Sequence, residues 1–208
     1  SGLKKALNVL SKDHTLSACF GQIASIDYNQ SKKKSYLIQY GSSLQNYSIR
    51  QTNPTERLLF AFSSYRSFSP YAIFKRSHFK EIWSRIGSSF CLELSEYEHA
   101  INTLLVGQVN VIDELFWIRS QESGPIDSKI AGSRDNTFKK WYKNKIFEED
   151  VKNFIDRTTN NLEHYLNCSS ENALKLVNEL IKKILNENNH TGLVNKSYFK
   201  IIVFYLIK

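Results

Sequence analysis

CFGQIASIDYNQSKKKSYLIQYGSSLQNYSIR, residues 19–50, changes texture four times. CFGQIASIDY (19–28) sets Phe20, Ile23 and Ile26 among small and polar residues. NQSKKK follows as a polar turn cluster. SYLIQY (35–40) is a second strand-like run, GSS (41–43) a second turn, and LQNYSIR (44–50) a third run. Short runs of this kind between polar turns predict three antiparallel strands in a meander. Such a unit is stable once something covers its apolar face. The fold class predicted is therefore α+β: a small N-terminal β-rich region over 1–52, then a mainly helical domain over 53–208.

Helical signals dominate the rest. Residues 3–10 read as a short helix. Asn53 and Pro54 form a helix start, cap first and proline next, ahead of Leu58, Leu59 and Phe62. Further helices are predicted over 78–86, 95–105 and 109–119, with Ser95 and Glu98 as a capping box. SQESGPIDSKIAGSRDNT (120–137) is a long loop, of a length that is usually functional or disordered. Residues 148–166 place Val151, Phe154, Ile155, Thr158, Leu162 and Tyr165 on one stripe, with three acids at the start where they suit the helix dipole. Residues 170–188 repeat the design. Residues 196–208 are open between helix and strand.

Composition bounds the partners. The chain has 208 residues, 41% apolar and 13% aromatic, which predicts a packed interior. Its net charge of +8 is uneven, with +5 falling in residues 1–50. Cys19, Cys91 and Cys168 lie far apart without a C-x-x-C pair, which argues against a disulfide framework or a zinc site and for an intracellular location, cytoplasmic or nuclear. The opening SGLKKALNVL has too short an apolar stretch for a secretory signal, and no apolar run approaches the roughly 20 residues that cross a bilayer, so no membrane partner is expected. No phosphate loop, G-x-G-x-x-G or H-E-x-x-H occurs, and the five histidines lack ligand spacing, so neither cofactor nor metal is expected.

Positive charge comes packaged with rings. Residues 65–85 hold Arg66, Lys75, Arg76, Lys80 and Arg85 with Tyr65, Phe68, Tyr71, Phe74, Phe79 and Trp83, against the single acid Glu81. Residues 134–147 repeat this with Arg134, Lys139, Lys140, Lys143 and Lys145 beside Phe138, Trp141, Tyr142 and Phe147. Cations attract phosphates and flat rings stack on bases. Helical spacing assigns Phe79, Trp83 and Ile86 to a core face and turns Arg76, Lys80 and Arg85 away from it. Phosphate contact is thereby favoured over stacking. The function predicted is non-catalytic binding of DNA or RNA through Lys32, Lys33, Lys34, Arg66, Lys75, Arg76, Lys80, Arg134, Lys139, Lys140 and Lys143, within a larger assembly or alone. The alternative on the same surfaces is a protein–protein adaptor that binds no nucleic acid, its rings serving as interface anchors.

Two family resemblances add expectations. GQIASIDY, YLIQYG and YSIR resemble the first three strands of a small Tudor or SH3-like barrel. That implies a cage for methylated side chains, or a nucleic-acid surface, with Tyr28, Tyr36, Tyr40 and Tyr47 as the rings. RTTNNLEH (157–164) resembles the arginine–histidine motif of HEPN ribonucleases. It implies a homodimeric, metal-independent ribonuclease in which Arg157 steadies the phosphate and His164 moves a proton. Thr158 stands where that family favours Asn, Asp or His. The spacing puts both residues on a stripe well over about 90° from the apolar one, facing solvent or a partner.

Overall fold

Alternation along β1 (Leu16–Asn29) gives the sheet two covered faces. Ala18 and Phe20 join the main hydrophobic cluster, while Cys19 between them joins a smaller one with Ala6 and Leu10 of α1 (Gly2–Lys12). The computed structural model describes residues 2–29, 34–40, 47–66, 72–88, 92–120 and 138–187, with side chains throughout except at 25–29, 34–40, 92, 118–120, 140, 141 and 187. The remaining elements are β2 (Lys34–Tyr40), α2 (Pro54–Ala61), β3 (Ile73–Phe74), α3 (Arg76–Trp83), α4 (Leu92–Val106), β4 (Gln108–Ser120), α5 (Phe138–Lys143), a 3-10 turn (Lys145–Phe147), α6 (Glu148–Leu166) and α7 (Ser170–Glu187).

The protein is α+β, but its sheet is not a meander. β1 and β2 pair antiparallel, with Asp27 opposite Tyr36 and Ala24 opposite Tyr40. β3 pairs antiparallel with the start of β1, through Ala18 and Cys19. β4 runs parallel to β1 from Leu16 to Ile26. Of the expected third strand, residues 47–50 are described, and among them only Ile49 pairs, exchanging two backbone hydrogen bonds with Val109 of β4 at 2.9 and 3.0 Å. A mixed sheet with a parallel central pair is not the start of a Tudor or SH3-like barrel, so that resemblance does not carry over. Of the four tyrosines it implied, Tyr47 is a core residue whose hydroxyl donates to the Ala61 carbonyl. The side chains of Tyr28, Tyr36 and Tyr40 lie outside the described residues, as do residues 121–137 and 196–208.

Residues 109–119 form a strand where a helix was expected. Gly107 ends α4 and the β-branched Val109, Val111 and Ile112 follow. Three register shifts against β1 break the two-residue alternation that would have announced a strand. Gly21 lies at one of them: a Cβ there would sit 2.5 Å from the Glu114 carbonyl oxygen, so only glycine lets the strands approach.

Local chemistry explains the helices. Asn53 caps α2 by accepting from the amides of Thr55 and Glu56 at 2.8 and 3.4 Å, with Pro54 at the first helical position. Asn53→Ala should cost about 1 kcal/mol, read as a small downward shift of the thermal midpoint. Ser95 is no cap, because α4 already begins at Leu92. The other end of α4 is held by Arg57, which is buried and donates to the carbonyls of Leu104 and Leu105 at 2.7 and 3.3 Å. A cation there complements the helix dipole and satisfies orphaned carbonyls. α6 ends where expected, at Asn167 in the left-handed conformation with φ of 48°. Leu58, Leu104, Phe154 and Leu180 bring α2, α4, α6 and α7 into the cluster that also holds Phe20 of the sheet.

Candidate nucleic-acid interface

α3 is positioned by its inner face. Ile82 is fully buried, and Glu81 accepts a 2.6 Å hydrogen bond from the Tyr165 hydroxyl of α6. Burial and the Glu81 carboxylate raise the Tyr165 phenol above its ordinary range, so it stays protonated and keeps donating. Arg85, just past the helix, lies 4.9 Å over the Tyr165 ring, and the Asn161 side chain donates to the Arg85 carbonyl at 3.4 Å. Arg85 is therefore spent on packing.

The outer face is Arg76, Phe79, Lys80 and Trp83, at the i, i+3, i+4, i+7 spacing of one stripe. All four are exposed. This corrects the assignment of the rings to the core: Phe79 is 46% and Trp83 51% exposed. A helix of eight residues buries one narrow face, and Ile82 occupies it, with Glu81 tied beside it. Rings and cations share the solvent side.

The second basic stretch lines an open cleft of about 440 Å³ between α5, the 3-10 turn and the first turns of α6. Val151 and Ile155 supply its apolar part; Tyr142, Lys143, Lys145 and Lys152 line it, together with Glu148. Asn144 fixes the turn by accepting from the Ile146 amide at 3.0 Å. Lys152 was missed by the reading of the sequence. Its signal is the spacing of four from Glu148, which puts both on one face of α6.

The other expected residues divide. Arg66 is exposed. Lys75 is half-buried and donates to the Asp13 carbonyl at 2.9 Å, so it serves the fold. Lys139 is half-buried in α5. Lys32, Lys33 and Arg134 lie outside the described residues, as do the side chains of Lys34 and Lys140.

Arg157 is half-buried and tied inward rather than presented to solvent. Its Nε and Nη2 donate to Glu98 Oε1 and Oε2 at 2.8 and 3.1 Å, and the Glu98 side chain is 1% exposed. That bond raises the guanidinium further above its ordinary value. His164 is exposed, with its ring edge-on to Tyr165. The two residues share α6, but only His164 is presented outward.

The carboxylates of α4 are each engaged. Glu93 accepts the first amide of α5, from Phe138, at 2.6 Å; Glu96 accepts from the Tyr65 hydroxyl at 3.0 Å; Glu98 holds Arg157. Among the described residues no group of three or more His, Cys, Asp or Glu could hold a metal, and no helix is long and apolar enough to cross a membrane. Cys19 is buried and free, and burial pushes its thiol up to about 11, which removes it as a nucleophile at neutral pH. No family model, curated protein or solved structure matches the chain.

Proposed function

We propose that this protein binds nucleic acid through its phosphate backbone and performs no chemistry on it. One observation carries the reading: Arg66, Arg76, Lys80, Lys143, Lys145 and Lys152 are all exposed, and among the described residues none has an ion-pair partner. Cations satisfied by acids have little left for phosphate, whereas unpaired ones release counterions when they meet it. The net charge of +8 adds long-range attraction of the same sign.

A salt titration of filter binding tests this. Affinity for a duplex should fall linearly on a log–log plot, with a slope of about −0.9 per phosphate neutralised. The triple variant Lys143→Gln, Lys145→Gln, Lys152→Gln should flatten that slope by roughly 2 to 3 if each lysine meets one phosphate. No retention of any DNA or RNA at low salt overturns the proposal.

A protein–protein adaptor is the second reading, and a different face supports it. Leu3 and Leu7 of α1 are 55% and 50% exposed, beside Leu115 and Trp117 of β4 at 39% and 47%. The elements are joined by the Lys5–Glu114 ion pair, and Gly2 lies against the Leu115 carbonyl. A protein purified at low salt free of nucleic acid, with a stoichiometric protein partner, decides for this reading.

A further inference from the structure

The geometry points to the outer face of α3 as a base-stacking platform, so that the preferred ligand is a single strand. We infer this from three observations. Phe79 and Trp83 stand about half exposed on the same stripe as Arg76 and Lys80. Their ring centroids are 5.7 Å apart, so they form one aromatic surface rather than two isolated residues. That surface is braced from beneath: Phe79 rests against Phe74 at 6.0 Å and Trp83 against His99 at 5.2 Å.

Each observation limits the occupant. An exposed pair of rings offers the open π-face that an unpaired base needs, and stacking tolerates any sequence because every base has such a face. In a duplex the bases are stacked on one another and present only edges in the grooves. The flanking cations select a polyanion: Arg76 precedes Phe79 by three positions and Lys80 precedes Trp83 by three, so each ring has a cation one helical turn away. Neither cation is ion-paired among the described residues. An apolar protein partner would cover the rings but leave these charges uncompensated. A single strand satisfies both, with phosphates on the cations and bases on the rings. The brace keeps the rings in place before the ligand arrives, which lowers the ordering cost of binding. This inference rests on the phosphate-binding reading above and adds the class of strand.

The test separates the two. Fluorescence anisotropy compares a labelled 20-nucleotide oligo(dT) or oligo(U) with a duplex of the same length. Phe79→Leu/Trp83→Leu keeps apolar volume over Phe74 and His99 but removes the π-faces. It should weaken single-strand binding about 10-fold or more, leave duplex binding within roughly 2-fold, and keep the salt slope. Arg76→Gln/Lys80→Gln should weaken both ligands and flatten the single-strand slope by about 1.4, at roughly 0.7 per phosphate. Wild-type tryptophan fluorescence should also be quenched by oligo(dT), and Trp83→Leu should remove most of that quench, a readout independent of affinity. If the leucine variant binds the single strand as the wild type does and the quench persists without Trp83, stacking is overturned while phosphate binding stands. If the wild type binds neither strand form at low salt, both fall.

Discussion

Arg157→Ala is expected to be severely destabilising, costing about 3–5 kcal/mol. The substitution deletes a partly covered guanidinium, but the cost arises at Glu98. That carboxylate is 1% exposed and would be left as a buried charge without its partner. Among the described residues the only other bond to it is a long one from the Gly87 amide, at 3.5 Å. Gly87 makes the prediction sharper. A Cβ on Gly87 would meet the Arg157 guanidinium, so alanine there forces that side chain to shift from its place on Glu98. Gly87→Ala should therefore reproduce part of the loss without touching either charged residue. The double variant should be little worse than Arg157→Ala alone, because both act on the same pair. Urea unfolding of the three variants reads this directly. Additive losses would mean that Gly87 acts on something else. Glu98→Leu/Arg157→Met, which removes both charges, should recover much of the stability.

This pair marks where the sequence stops being readable. Position 157 was visible as a polar residue off the apolar stripe of α6, and solvent is the ordinary environment for such a residue. What takes it out of solvent is a carboxylate 59 positions earlier and a glycine 70 positions earlier, neither with any local signal at residue 157. Helices such as α2 and α6 were legible because their causes are local: Asn53 and Pro54 start α2, and three acids begin α6. The hairpin of β1 and β2 was legible for the same reason. The parallel pairing of β1 with β4 was not. It joins segments about 90 residues apart, and the register shifts that let them fit also scramble the alternation of β4.

The α3 stripe shows the same limit from another side. Spacing placed Phe79 and Trp83 on a common face, which holds in the structure. Hydrophobicity then assigned that face to the interior, on the usual tendency of large rings to be buried. The interior was already occupied by Ile82, and Glu81 had to stay on that side to reach Tyr165. Which face of an amphipathic helix turns inward is decided by the partners waiting for it, and those partners come from α4 and α6.

His99 should make stability fall as pH drops from about 6.5 to about 4. The side chain is 7% exposed, its Nδ1 is buried without a hydrogen-bond partner among the described residues, and the rings of Phe74 and Trp83 lie 5.4 and 5.2 Å away. Burial lowers its pKa from 6.5 to about 4, because a charged imidazole there would be desolvated with nothing to compensate it. The unfolded chain takes up the proton first as the pH falls, so acid favours unfolding throughout that window. Above pH 6.5 both states are neutral at this position and no penalty arises. Below about 4 both are protonated and the loss levels off, at roughly 3 kcal/mol by linkage. His78 is shifted in the same direction, by burial and by Lys75, so the wild-type slope contains more than one histidine. The comparison must therefore be with His99→Leu, which removes one titration and leaves the other. Unfolding free energies at pH 7 and pH 4 should converge in that variant by about 2–3 kcal/mol relative to the wild type. An unchanged pH dependence would show that the imidazole is not held neutral, and that the contact between His99 and Trp83 does not exclude water.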